Sequence, residues 1–342
     1  DLESMLPLVW GRPLHSVFIG GGTPSLFSAE AVDRLLAGVR AYVNARPDIE
    51  ITLEMNPGTL DASRLAGYRH AGVNRLSIGA QTFDDAMLKK LGRIHRACEI
   101  SASFYAARSA GFDNINLDIM FALPGQSVAQ AKSDIDQLCT LAPEHVSHYQ
   151  LTLEPGTHFY KQPPVLPDPD TAWELETATR HYIQRLGFEQ YEISAFALPG
   201  HECAHNLNYW LYGDYLGIGA GAHGKLSRVE SGALAVRRHE KPRHPQTYMQ
   251  RTRQAPSGDG MLVETRVNAE DRVFEFLLNA LRLRQGFAVD VFTQRTGLLA
   301  MRLHQILQPA LDQQLLRVDT HVHISDRGYA HVDTILQHCL PN

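Results

Sequence analysis

Five separate stretches of this chain end in groups suited to holding a polar ligand. Val17-Phe18-Ile19 runs straight into Gly20-Gly21-Gly22-Thr23-Pro24-Ser25. Three glycines after a buried strand bring backbone N–H groups closer to a ligand than any Cβ would allow. The run lacks the Gly-Lys-Ser/Thr of a phosphate loop, and Thr23-Pro24 stands where a dinucleotide fingerprint needs its helix. Glu54 closes the second apolar run and Gln81 follows the third. Asp118 lies late in the fourth, and Thr152 with Glu154 ends the fifth. Carboxylates suit cationic and hydroxyl groups, and bare N–H groups suit anions. Each residue alone is equally readable as a cap or turn residue. Five strand ends that all carry polar groups point to one binding rim.

The elements that would position these groups alternate over roughly the first 195 residues. Strand signals fall at His15–Ile19, Ile49–Met55, Asn74–Gly79, Asn114–Met120, His145–Thr152 and Phe188–Ser194. Helical patterns fall between them at Ala29–Asn44, with Ser28 as N-cap, then at Ser127–Leu141 and Asp170–Leu186. This repetition predicts a parallel sheet with helices outside it. From about Leu198 the rhythm breaks. The run 200–210, polar and aromatic with His205-Asn206-Leu207-Asn208-Tyr209-Trp210 at its end, and the glycine-rich 213–224 segment read together as irregular backbone in close approach. Arg237–Arg253 reads as a basic, solvated connection. A final module begins near Asn268, with helices at Arg272–Leu283 and Leu298–Leu311 and a strand pair at 315–318 and 322–325. That order predicts a small winged-helix-like unit. The expected organisation is a barrel over 1–197, an extension over 198–267 and a C-terminal α+β unit over 268–342.

Composition narrows the function classes. Of 342 residues, 44% are hydrophobic and 20% charged, with a formal net charge of −5, as in a globular protein. The acidic balance argues against binding nucleic acid through overall basic charge, and Arg237-Arg238-His239-Glu240-Lys241 is a short patch on which to build such a role. No apolar run has the length of a membrane span, and no secretory signal opens the chain. Cys98, Cys139, Cys203 and Cys339 are scattered, which fits reduced thiols in the cytoplasm. No Gly-x-Ser-x-Gly elbow supports a hydrolase. His145 and His148, three apart on one strand, face opposite ways, and His321 with His323 reads as a solvated pair. Asp1 in place of Met suggests a fragment.

The motifs resemble those of radical SAM proteins related to oxygen-independent coproporphyrinogen III dehydrogenase, and most of all their heme-chaperone branch, HemW. The carriers are Ile-Gly-Gly-Gly-Thr-Pro-Ser (19–25), Glu-Met-Asn-Pro-Gly (54–58), Gly-Val-Asn-Arg-Leu-Ser-Ile-Gly-Ala-Gln-Thr-Phe (72–83) and Leu-Gly-Arg-Ile-His (91–95). Asn-Leu-Asp-Ile-Met-Phe-Ala-Leu-Pro-Gly-Gln (116–126), Tyr-Gln-Leu-Thr-Leu-Glu-Pro-Gly-Thr (149–157), His-Asn-Leu-Asn-Tyr-Trp (205–210) and the 213–224 run continue the series. The resemblance implies an α/β fold, a partial parallel TIM-like barrel followed by a wing-bearing helical domain. It implies S-adenosylmethionine across the rim, with Gly21, Gly22 and Thr23 at its amino-acid end. Glu54, Gln81, Arg93 and Asp118 would add polar contacts, and Thr152 a contact near the adenine.

Members of this group also hold a 4Fe–4S cluster on a Cys-x-x-x-Cys-x-x-Cys motif ahead of the first helix, and this chain has no such motif. Either that segment lies upstream of Asp1, leaving the first strand as an unpaired edge, or the protein works without a cluster. The 205–210 motif distinguishes the chaperone branch, and the resemblance implies heme and acceptor hemoproteins as partners. Imidazole is a good axial ligand, so His205 is the candidate heme ligand, with Tyr209 and Trp210 covering the porphyrin and Cys203 as a rival ligand. Without the resemblance, His205 reads as a satisfied histidine. The alternative is an enzyme that oxidatively decarboxylates coproporphyrinogen III.

Overall fold

The computed structural model describes residues 1–58, 61–156, 158–254 and 263–340. Thr157, the last residue of the 149–157 motif, lies outside them. The chain divides into two compact units. One comprises Leu14–Gly38 and Arg46–Cys203; the other comprises Asp1–Pro13, Val39–Ala45 and Ala204–Asn342.

The first unit is built on strands β1 (Pro13–Ile19), β2 (Asn44–Met55), β3 (Arg75–Gln81), β4 (Ile115–Phe121), β5 (His145–Gln150), β6 (Glu189–Glu192) and β7 (Ala195–Ala197). The sheet order is β1-β2-β3-β4-β5-β7-β6. Neighbours from β2 to β5 pair in parallel, giving the parallel sheet that the alternating pattern predicts, curled into the half-barrel that the resemblance implies. The far edge departs from that expectation. Ala195–Ala197 turns back as β7, inserts between β5 and β6, and pairs antiparallel with both. A two-residue reversal at Ile193-Ser194 suffices for a hairpin, whereas a parallel return needs a crossover.

The helices match closely where caps are strong. Ser28 Oγ accepts from Ala31 N–H ahead of Ala29–Tyr42, and Ser127 with Gln130 forms a capping box ahead of Val128–Leu141. Asp168 caps Pro169–Arg185.

Side-chain period explains what this sheet can do. Leu53, Leu76, Ile78, Ile115, Leu117, Ile119 and Val146 are all buried, and Phe121 packs on Ala131, Ala172 and Leu175 of the covering helices. The alternate positions on the other face read Glu54 on β2, Arg75 and Ser77 on β3, Asn116 and Asp118 on β4, and His145 and Ser147 on β5. Parallel strands covered on both sides normally run continuously apolar. Here one face is oil and the other is a polar inner wall. His145 and His148 fall on opposite faces as expected: His145 bonds Asn116, and His148 stacks on Phe121.

The second unit carries β8 (His223–Glu230), β9 (Ala233–Glu240) and β10 (Val263–Val267) in one antiparallel sheet. Arg237–Arg253 is therefore not a solvated connection. It supplies the second half of β9 and the helix Pro245–Gln254, and the charges at its start are matched. Arg237 pairs with Glu230 and Glu264, Arg238 with Glu275, and His239 with Glu264, while Lys241 meets Asp1. The run 205–210 is helical, within Ala204–Trp210, rather than irregular. The glycines after it do make close approaches: a Cβ on Gly217 would lie 2.0 Å from the His223 carbonyl oxygen.

The C-terminal part packs helices Ala269–Ala280, Val289–Thr296 and Ala300–Asp312 around Phe276, Phe287 and Phe292. Strands β11 (Phe287–Ala288), β12 (Leu316–Val318) and β13 (His321–Ile324) form its antiparallel wing in the order β11-β13-β12. The expected helix 298–311 is preceded by the extra helix Val289–Thr296, ended by Gly297 at φ +71°. His321 and His323 sit side by side on β13, their ring centres 5.6 Å apart. Among the described residues no helix is long and apolar enough to cross a membrane.

Candidate functional site

At the end of β1 the backbone of Gly21 and Gly22 turns left-handed, with φ +80° and +62°. A side chain is strained in that conformation. A notional Cβ on either meets nothing within 4 Å, so both glycines face open space. Gly20 is the opposite case: a Cβ there would come within 3.0 Å of the Glu54 carboxyl and 2.6 Å of the Phe18 ring. The close approach lets Gly21 N–H donate to Glu54 Oε2 at 3.0 Å. Behind the loop, the buried Tyr68 hydroxyl donates to the Ser25 and Phe27 carbonyls.

Gln81 closes β3 with φ +70° at a break in register against β4. A left-handed glutamine is strained, and such a break re-aims the side chain. Its Oε1 accepts from Tyr149 OH at 2.8 Å. The following loop is anchored by Asp134, which accepts from Thr82 Oγ1 and Phe83 N–H while Gln126 Nε2 donates to it. Arg93 Nη1 donates to Asn56 Oδ1 at 3.3 Å, just past the end of β2.

Asp118 lies at the centre of β4 rather than late in the strand. Burial pushes its carboxyl up to about 6, helped by the Glu54 charge, while hydrogen bonds from Asn116 and Ser147 and the Arg75 charge pull the other way. Neither Glu54 nor Asp118 forms an ion pair with a described residue. The site thus offers two carboxylates without a bound cation, beside a glycine backbone with room in front of it.

Gln81, Asp118, Arg93 and Glu54 gather around Tyr149, which bonds Gln81 and feels the other three, and Gly21 joins them through its bond to Glu54. Gly22 adjoins Gly21. Thr23 precedes the turn Pro24–Leu26 without a side-chain cap bond. Thr152 is not at a strand end. β5 stops at Gln150, and Thr152 is exposed in irregular backbone with no described hydrogen bond to the cluster.

His205 belongs to the second unit. It is half-buried on the helix Ala204–Trp210, its ring 4.8 Å from Tyr209 one turn on. Tyr209 continues onto Tyr215 at 4.3 Å. Trp210 lies under the Arg282 guanidinium, 4.3 Å from it. Cys203, the rival ligand, is fully buried with its thiol on Glu50. None of the four cysteines is in a disulfide, and among the described residues no three His, Cys, Asp or Glu side chains are grouped to hold a metal. The cysteines of this chain do not fit an iron–sulfur cluster.

Asn116, His145, Ser77, Ser147 and Arg75 escaped the sequence reading of the site. Polar residues at alternate positions in otherwise apolar parallel strands were the available signal.

Residues 4–138 match the radical SAM superfamily, and residues 267–331 match the HemN C-terminal domain. The heme chaperone HemW of Escherichia coli (strain K12) is 43% identical over 317 residues, spanning 92% of this chain and 80% of that one. The heme chaperone HemW of Bacillus subtilis (strain 168) is 42% identical over 293 residues, 84% of this chain and 75% of its own. Among solved structures, the Escherichia coli coproporphyrinogen III oxidase HemN, a radical SAM enzyme, aligns with a TM-score of 0.79 over 99% of this chain and 81% of that chain. At 21% identity that likeness speaks for the fold alone. Identity above 40% along nearly the whole chain is a different matter, and the chain belongs to the HemW heme-chaperone family of the radical SAM superfamily.

Proposed function

We propose that this protein binds heme and delivers it to acceptor hemoproteins, and that the inner cleft of its half-barrel holds S-adenosylmethionine. The observation that carries the second part is that Glu54, bonded to the open glycine turn, and Asp118, which feels its charge, are both without an ion pair among the described residues. A zwitterionic sulfonium nucleoside suits that donor set. Its cationic and hydroxyl groups would find Glu54, Asp118 and Gln81, and its carboxylate Arg93 and the backbone around Gly21, Gly22 and Thr23. Thr152 remains a proposed neighbour of the adenine. When bound alongside a reduced cluster, S-adenosylmethionine supplies a hydrogen-abstracting radical. No step is assigned to a cluster, because this chain's cysteines do not fit one.

For heme, the half-buried His205 backed by Tyr209 is the proposed axial ligand. Burial pushes the Tyr209 phenol up to about 12, which keeps it neutral as an aromatic wall. Heme titration followed by the Soret band tests this. His205→Ala is expected to weaken binding by about tenfold or more and to alter the spectrum, while Cys203→Ser leaves both unchanged. An unaltered spectrum in His205→Ala overturns the assignment. An anaerobic assay for protoporphyrinogen separates delivery from the alternative chemistry; clear turnover would favour the decarboxylating enzyme. The cytoplasm is the proposed compartment.

A further inference from the structure

We propose that Tyr191, His145 and Asn116 form a one-way relay of hydrogen-bond donors that fixes and orients the Asp118 carboxylate, making them positioning residues of the cleft. The inference rests on the cleft reading above for its purpose, though not for its geometry. Asn116 Nδ2 lies 2.8 Å from Asp118 Oδ1 and 2.8 Å from Ser77 Oγ, while its Oδ1 lies 2.6 Å from His145 Nδ1 and 3.0 Å from Ser147 Oγ. A carboxylate only accepts, so the amide N–H must face Asp118 and Oδ1 must face the histidine. That oxygen in turn requires the proton on His145 Nδ1.

His145 is fully buried on β5, and burial holds its pKa well below the ordinary imidazole value, with the Arg75 and His201 charges acting the same way. The ring therefore carries one proton, and bare Nε2 accepts from Tyr191 OH at 3.0 Å. Each link fixes the direction of the next, and all of them point at one acceptor. The single Ser147 proton serves either Asn116 or Asp118, which leaves His145 as the constant donor to Asn116 Oδ1.

The charges around Asp118 are few. Glu54 on β2 opposes its ionisation, Arg75 on β3 favours it, and on β5 both His145 and the phenol of Tyr149 are neutral. Burial favours the neutral acid; the hydrogen bonds from Asn116 and Ser147 and the Arg75 charge favour the anion, and the relay holds the Asn116 donor in place.

Carbon-13 NMR of the aspartate carboxyls against pH reads this directly, with the Asp118 signal identified by its loss in Asp118→Asn. Asn116→Leu is expected to raise the Asp118 midpoint by about one pH unit or more, and Tyr191→Phe to raise it by less. Thr52→Val, on the same inner face but outside the relay, leaves it in place. Unmoved midpoints in the two relay variants overturn the proposal. Should Asn116→Leu fail to fold, Tyr191→Phe, which removes a single oxygen, decides alone. Calorimetric titration of the unaltered protein with S-adenosylmethionine keeps the two ideas apart. No binding at any pH removes the cleft's ligand, whereas the carboxyl midpoints still judge the relay.

Discussion

Two buried polar regions of this molecule treat charge in opposite ways. In the second unit, Asp214 accepts from Lys225 Nζ at 2.8 Å, from Arg12 Nη1 at 2.6 Å, and from the Ser227 backbone and hydroxyl at 2.7 and 2.8 Å. Lys225, almost wholly buried, also sits 4.1 Å above the Tyr212 ring. Burial works against the Asp214 charge, yet Lys225 and these donors hold its carboxyl below the ordinary range. On the inner face of the half-barrel, Glu54 and Asp118 have donors but no cation bonded to them, and Thr52 Oγ1 and Arg75 Nε are buried without a hydrogen-bond partner. Saturated charge is framework. Unsaturated charge facing a cleft is a place kept for something else.

The largest expected effect tests that division. Lys225→Met takes the buried cation from Asp214, leaving it Arg12 and the Ser227 donors, and is expected to cost about 2–3 kcal/mol in chemical denaturation. Glu54→Ala, which removes a half-exposed carboxylate bonded only to a glycine N–H, is expected to cost less than about 1 kcal/mol. If Glu54 proved the costlier of the two, the inner face would have to be counted as framework.

Next in size is a gain. The folded-state value of Asp118 lies at about 6, above the ordinary 3.8. A raised acid favours the folded state fully only below pH 3.8, and that advantage disappears as pH rises through 6. The deficit at pH 7 is roughly 3 kcal/mol. Asp118→Asn keeps an acceptor for the Asn116 amide without the charge. It is expected to stabilise the protein by about 1–3 kcal/mol at pH 7, to give no gain at pH 4, and to weaken S-adenosylmethionine binding at pH 7. Stability gained where binding is lost is the mark of a functional residue.

Much of the first unit was legible in sequence because its signals are local. A strand-to-glycine junction, Ser28 and Ser127 as caps, and apolar runs between them place β1 to β5 within a few residues. The rim residues Gly21, Glu54 and Gln81 could be singled out because they stand at strand ends. What escaped depends on pairing. β7 is three residues long and is defined by its neighbours, with no periodicity of its own. The strand β9 hid in a basic run because, among the described residues, Arg237 and Arg238 find their carboxylates across the sheet and on the helix Ala269–Ala280. The relay escaped for the same reason: Asn116, His145 and Tyr191 are far apart in sequence and meet only through register.

The smallest effect separates the two faces of a single strand. His148 is on the apolar face of β5, stacked 4.5 Å from Phe121 and edge-on to Phe196. Burial alone lowers its pKa from 6.5 to about 3. A base depressed in this way supports the fold above pH 6.5, and that support is lost as pH falls toward 3. At pH 5 the loss is about 2 kcal/mol relative to pH 7. Asp118 and Asp134, both raised to about 6, change in the opposite sense over the same interval, so the bulk acid limb mixes these terms. His148→Phe isolates one of them, since the ring stays and only the titrating nitrogens go. Its denaturation free energy should fall about 2 kcal/mol less than that of the unaltered protein between pH 7 and pH 5. An identical pH slope in the two proteins would mean that this histidine titrates as freely as a solvated one, and that the face it occupies is not the dry one.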